Sequence, residues 1–192
     1  MKKKRILALF LAAVSCLSLA VSASAAGTTT RKATDFKDYD RTAWYAEAVS
    51  AAVDNGLLYG KSSTIIDPNG AMTRAEMAAI INRSFGCYKT ADISQYKDVA
   101  KSKWYYKDVA LAVQIGTYNG RSNSSMAPDS PITRQEAMTV VARALELDYD
   151  AYAKTDLSAF SDRSEISNWA LPYVRAMVGA DSVSYTHLRA HE

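Results

Sequence analysis

Histidine is nearly missing from this chain. The two in 192 residues, His187 and His191, both fall among the last six, so the body of the sequence has none. That excludes His-based triads, the commonest general base and most zinc sites. Cysteine is almost as scarce: Cys16 sits in an apolar leader, and without the leader Cys87 has no partner for an intramolecular disulfide. Acidic residues are absent from the first 27 positions, where Lys2, Lys3, Lys4 and Arg5 concentrate positive charge; the net +3 therefore belongs to the leader, and the rest is close to neutral. A neutral body without a basic stripe argues against nucleic acid as a partner. The apolar run Ile6–Val21 is shorter than the roughly 20 residues a bilayer span needs, so no transmembrane segment is expected. With 48% apolar and 22% charged residues, the whole chain has the composition of a folded globular protein.

The basic start, the apolar run and Ala23-Ser24-Ala25 read as a signal peptide over residues 1–25, implying export. Cys16 lacks the leucine three residues earlier that a lipidation site carries. Beyond the leader the sequence repeats. A shift of 60 residues superposes Phe36–Gly86 on Tyr96–Glu146 without a gap, with 15 of 51 positions identical. Shared positions include Asp38/Asp98, Trp44/Trp104, Gly56/Gly116, Gly60/Gly120, Pro68/Pro128, Thr73/Thr133, Arg74/Arg134, Glu76/Glu136 and Arg83/Arg143. A third, partial copy spans residues 160–182, opening at Phe160-Ser161-Asp162 and reaching Trp169 with one extra residue.

Each copy reads as helix, loop, helix, which makes the fold all-α. The first helix is expected from about Trp44 or Trp104, with Thr42, Ser102 and Ser167 as N-caps and Gly56 or Gly116 as its stop. Turn residues such as Asp67-Pro68-Asn69-Gly70 fill the middle. The second helix opens at Thr73 or Thr133 and is expected to bury Met77, Ile80 and Ile81, or Met138, Val140, Val141 and Leu145. One such pair cannot bury its apolar faces alone, whereas stacked copies can share an interior.

Thr73-Arg74-Ala75-Glu76 and Thr133-Arg134-Gln135-Glu136 carry the most information. Threonine followed three residues later by glutamate before an apolar run is a capping box, so Thr73, Glu76, Thr133 and Glu136 are assigned to helix capping. The arginines are left over, and a cation at N1 opposes the helix dipole. Arg74 and Arg134 therefore have two readings: an anion site beside unpaired helix N–H groups, or an ion pair with an acid of the neighbouring copy. Trp44 and Trp104 are either core or the apolar wall of a sugar groove. Asp38 and Asp98 are either local hydrogen-bond acceptors or acceptors from sugar hydroxyls. A glycosidase would need a free carboxylate pair, but Asp38 and Glu76 already have turn and cap roles, so no enzyme activity is expected and no cofactor or metal is implied.

Phe-x-Asp, Trp, Gly-x-x-x-Gly, a proline turn and Thr-Arg-x-Glu together resemble the S-layer homology (SLH) module. The likeness covers both full copies and Phe160 to about Ala180. It implies a pseudo-threefold α-helical assembly, here with an incomplete third repeat. It also implies non-covalent anchoring to the bacterial cell wall, by binding pyruvylated secondary cell-wall polysaccharide in grooves between modules. On this likeness Arg74 and Arg134 meet the pyruvate carboxylate, Trp44 and Trp104 form groove walls, and Asp38 and Asp98 accept from hydroxyls. The alternative is a protein–protein adapter or self-assembling surface-layer subunit that binds no sugar. Residues 183–192, Val-Ser-Tyr-Thr-His-Leu-Arg-Ala-His-Glu, match no part of the repeat; they look like a translated sequencing adapter and are expected to be non-native.

Overall fold

The computed structural model describes residues 31–182, so the expected leader and tail lie outside the described residues. The chain divides into two units, Met1–Arg31 and Lys32–Glu192, and every helix and turn described lies in the second. Its helices are α1 (Ala46–Asp54), α2 (Arg74–Phe85), α3 (Tyr106–Gln114), α4 (Arg134–Ala144) and α5 (Leu171–Gly179), with 3-10 turns at Ala33–Asp35 and Arg163–Glu165. No strand occurs among the described residues, and the protein is all-α.

Local chemistry explains most helix ends. At α2 and α4 the extended backbone of Thr73 and Thr133 lets each hydroxyl accept from the N–H of Glu76 or Glu136 at 3.2 and 3.3 Å. Each glutamate returns a carboxylate oxygen to the threonine N–H at 2.8 Å. Gly56 and Gly116 stop α1 and α3 in the left-handed region, at φ 68° and 75°. Asp181 occupies the corresponding position after α5 at φ 54°. The first helices start later than expected. Their N-cap positions are Tyr45, Tyr105 and Ala170, none with a side-chain cap. Thr42 instead turns back on Asp40, its N–H and hydroxyl meeting one carboxylate oxygen at 2.8 and 2.7 Å. The Ala46 and Tyr106 N–H groups donate to the carbonyls of Ala43 and Lys103 at 3.0 Å, so a tight turn supplies what a cap would have supplied.

Helices pair across copies, not within them. The second helix of the first copy packs on the first helix of the second, α2 on α3; α4 packs on α5, and α2 also touches α4. The main core lies at the boundary of the first two copies, where Ala75, Ala78 and Ile81 of α2 meet Val109, Ala110 and Ala112 of α3 over Tyr96, Tyr105, Tyr118 and Met126. The buried stripe of α2 is thus richer in alanine than periodicity suggested: Ala75, Ala78, Ala79 and Ile81 are buried, whereas Met77 and Ile80 are only half-buried. Small side chains let the paired helices approach, and the longer ones fill the flanks. Gly60 and Gly120 have a related steric cause: a Cβ at Gly120 would lie 2.5 Å from the Tyr96 ring, and one at Gly60 2.5 Å from the Phe36 ring.

Candidate functional site

A cleft of about 470 Å³ opens between the copies. It is lined by Arg74 of the first, Asn119, Arg121, Glu136 and Arg143 of the second, and Trp169 beyond α4. The α2 capping box and the 128–131 loop place Arg74 at its floor. There the guanidinium is 6% exposed and largely engaged: Nε donates to the Met126 carbonyl at 2.9 Å, Nη1 to Glu136 Oε1 at 3.1 Å and Nη2 to the Asn119 carbonyl at 3.3 Å. The Tyr118 ring centroid lies 5.1 Å from Cζ.

The expectation of an N1 guanidinium beside unpaired helix N–H groups therefore does not describe Arg74. The N–H groups of Arg74 and Ala75 donate to the carbonyls of Ser130 and Pro128 at 3.0 and 2.9 Å, because the middle loop of the second copy docks on the start of α2. Arg74 instead matches the other reading, an ion pair with an acid of the neighbouring copy. Arg134 is different. It is exposed, and its side chain makes no hydrogen bond or ion pair among the described residues. It borders a smaller cleft of about 190 Å³ with Met138, Phe160 and Val174, beside the carboxylates of Asp162 and Glu165. Those acids outnumber its one cation.

The aspartates bind loops. Asp38 accepts from the N–H groups of Ile66 at 2.9 Å and Asp67 at 2.7 Å; Asp98 accepts from those of Met126 at 3.0 Å and Ala127 at 2.7 Å, and from the Ser125 hydroxyl at 2.7 Å. Neither lines the large cleft. Asp98 thereby holds Ala127 at φ 51°, where a Cβ is crowded. Ala127→Gly is expected to raise stability by about 0.5–1 kcal/mol, read from the urea midpoint. Trp44 and Trp104 are 59% and 60% exposed and lie edge-on to Tyr45 and Tyr105; it is Trp169 that lines the large cleft.

Two cleft residues were missed as site candidates although the repeat marks both. Arg121 follows the second glycine of Gly-x-x-x-Gly, as Lys61 does in the first copy, and Arg143 repeats Arg83. Arg121 holds Glu136 through Nε and Nη2 at 3.2 Å and leaves Nη1 without a partner among the described residues. Arg143 lies over the Tyr173 ring, 4.8 Å from its centroid; among the described residues only its Nη2 is engaged, with the Tyr173 hydroxyl at 3.4 Å. The cleft thus carries three cations against the single carboxylate of Glu136.

Burial alone would raise the Glu136 carboxyl, but the Thr133 N–H, the Arg74 and Arg121 charges and the Thr133 hydroxyl together hold it below its usual range. Asp98 is lowered in the same sense: burial opposes, and the Met126 and Ala127 N–H groups and the Ser125 hydroxyl prevail. Carboxylates whose folded pKa is depressed stabilise the fold fully above their unfolded values, 4.5 for Glu136 and 3.8 for Asp98, and lose that stabilisation as pH falls through the lower folded values. Thermal melts are expected to be level from pH 7 to pH 5.5 and to fall steeply below about pH 4.

A stack of helix–loop–helix copies with a cationic, tryptophan-walled cleft between them defines a tandem-repeat α-helical protein. Residues 35–78 and 95–138 each match the S-layer homology domain. Through these segments the chain belongs to the S-layer homology domain family, whose members anchor proteins at the cell wall, and it is a cell-surface protein. It is 33% identical over 147 residues to the Surface-layer 125 kDa protein of Lysinibacillus sphaericus, covering 76% of this chain and 12% of that protein. Identity is 30% over 161 residues with the Middle cell wall protein of Brevibacillus brevis, 81% of this chain and 14% of the relative. Against an Endoglucanase of a Bacillus species it is 28% over 170 residues, 87% and 18%. The chain spans less than a fifth of each of these relatives. Among the described residues no helix is long and apolar enough to cross a membrane.

Proposed function

We propose that this chain is a non-catalytic anchor that holds an exported protein to the bacterial cell wall by binding an acidic secondary wall polysaccharide in the cleft between its copies. The partial third copy over residues 160–182 supplies one wall of that cleft. The observation that carries the reading is the charge balance: Arg74, Arg121 and Arg143 face one carboxylate, Glu136, in a space of about 470 Å³. Arg74 keeps Glu136 neutralised from below, so Arg121 and Arg143 retain donors for a carboxylate or ketal-linked pyruvate. The exposed Trp169 indole offers an apolar face to a sugar ring, with its N–H available to a hydroxyl.

The roles implied for Trp44, Trp104, Asp38, Asp98 and Arg134 pass in this reading to Trp169, Arg121 and Arg143. Co-sedimentation with purified wall sacculi tests it. Binding is expected to be saturable and to fall at least tenfold after pyruvate is removed from the polymer; equal binding by treated and untreated sacculi would contradict it.

A further inference from the structure

The residues that line the large cleft, termed the second cleft, have counterparts 60 residues earlier in the first copy, termed the first cleft, and the two sets differ in ways the repeat alone conceals. In the second cleft Arg74 reaches in from the preceding copy. Among the described residues Lys61 is the one cation paired with Glu76, the counterpart of Glu136. The Lys61 ammonium gives its three donors to Glu76 Oε1 at 2.8 Å, Glu76 Oε2 at 2.6 Å and the Ala71 carbonyl at 3.2 Å, leaving none for a ligand.

Arg83, the counterpart of Arg143, is held more tightly, with a shorter hydrogen bond and a closer ring. Its Nη1 donates to the Leu57 carbonyl at 2.9 Å, and the Tyr59 ring lies over its guanidinium, 4.1 Å from Cζ to centroid. Tyr59 stands where the second cleft has the smaller Asn119. Where the second cleft has Tyr173, the first has Asp108, fixed beside α2 by the Asn82 amide at 2.8 Å to its carbonyl and 3.2 Å to its carboxylate. Lys61 and Arg83 against Glu76 and Asp108 sum to no charge, whereas the second cleft carries a surplus of two positive charges.

We infer that only the second cleft takes an acidic glycan, and that the first is closed to it by the Tyr59–Arg83 stack and the spent Lys61 ammonium. This rests on the proposed wall-anchor function and adds to it a stoichiometry of one acidic sugar per chain, with Tyr59 and Lys61 as the positions that exclude a second.

Titration calorimetry with pyruvylated N-acetylmannosamine, the sugar that the S-layer homology resemblance implies, tests it, using the whole chain, Arg121→Ala/Arg143→Ala and Lys61→Ala/Arg83→Ala. The expected result is one site per chain, affinity at least tenfold weaker in the first variant and within twofold of the parent in the second. Two sites per chain, or loss of a site in Lys61→Ala/Arg83→Ala, overturns the inference and leaves the anchor reading intact. No binding by the parent chain, together with no binding to sacculi, overturns both. Circular dichroism of each variant separates loss of binding from loss of fold.

Discussion

Arg74→Ala is expected to lower folding stability by about 3–5 kcal/mol, the range for removing one partner of a buried ion pair. The change strands Glu136 without the partner beneath it and leaves the Met126 and Asn119 carbonyls without their guanidinium donor. Arg121 keeps part of the Glu136 charge answered, which places the effect toward the lower end. Arg134→Ala, at the same position of the same motif, is expected to change stability by less than about 0.5 kcal/mol, because that side chain is exposed and unbonded among the described residues. Urea denaturation of the two variants gives the comparison. If the motif arginine served only a ligand, both substitutions would leave the unliganded protein's midpoint unchanged.

Arg121→Ala/Arg143→Ala is expected to do the reverse. Each side chain offers charge-assisted hydrogen bonds of about 1.5–3 kcal/mol to an anion, so losing both weakens binding to wall polymer by about two orders of magnitude. Arg121 is 42% exposed, and partial screening keeps its share toward the low end of that range. Arg74 still answers Glu136 in this variant, and the melting temperature should move little. Parent binding should weaken severalfold between about 0.05 and 0.5 M salt, because the contacts lie at a solvent-facing mouth. The variant, with the exposed cations gone, should show a flatter salt dependence.

Much of this architecture was legible in residue order because its causes are local. Thr73 and Thr133 cap through bonds three residues long, Gly56 and Gly116 stop helices through their own φ angles, and the 60-residue shift needs no coordinates. What escaped depends on which copy touches which. The start of α2 has open N–H groups in any one-dimensional reading; only the docked 128–130 loop fills them. The same docking turns Arg74 from a surface cation into a clamp, while an identical motif leaves Arg134 exposed.

Asp38 and Asp98 had an ambiguous pattern because their partners lie 28 and 29 residues away in the loops. The late start of α1 and α3 has a nearer cause, a Thr42–Asp40 contact ahead of α1 and i→i+3 turns ahead of both that compete with a capped start. Arg121 was overlooked because one basic residue after a glycine signals little; its pairing with Lys61 in the repeat was the available clue.

Arginine-selective labelling with phenylglyoxal, read by mass spectrometry with and without wall polymer, probes Arg74, Arg121, Arg134 and Arg143 in one experiment. Arg121 and Arg143 are expected to react in the unliganded protein and become protected by polymer; Arg74 should stay unreactive in both states, and Arg134 should react in both. Protection of Arg134 with Arg121 and Arg143 still reactive would put the glycan elsewhere and contradict the cleft as the anchoring site.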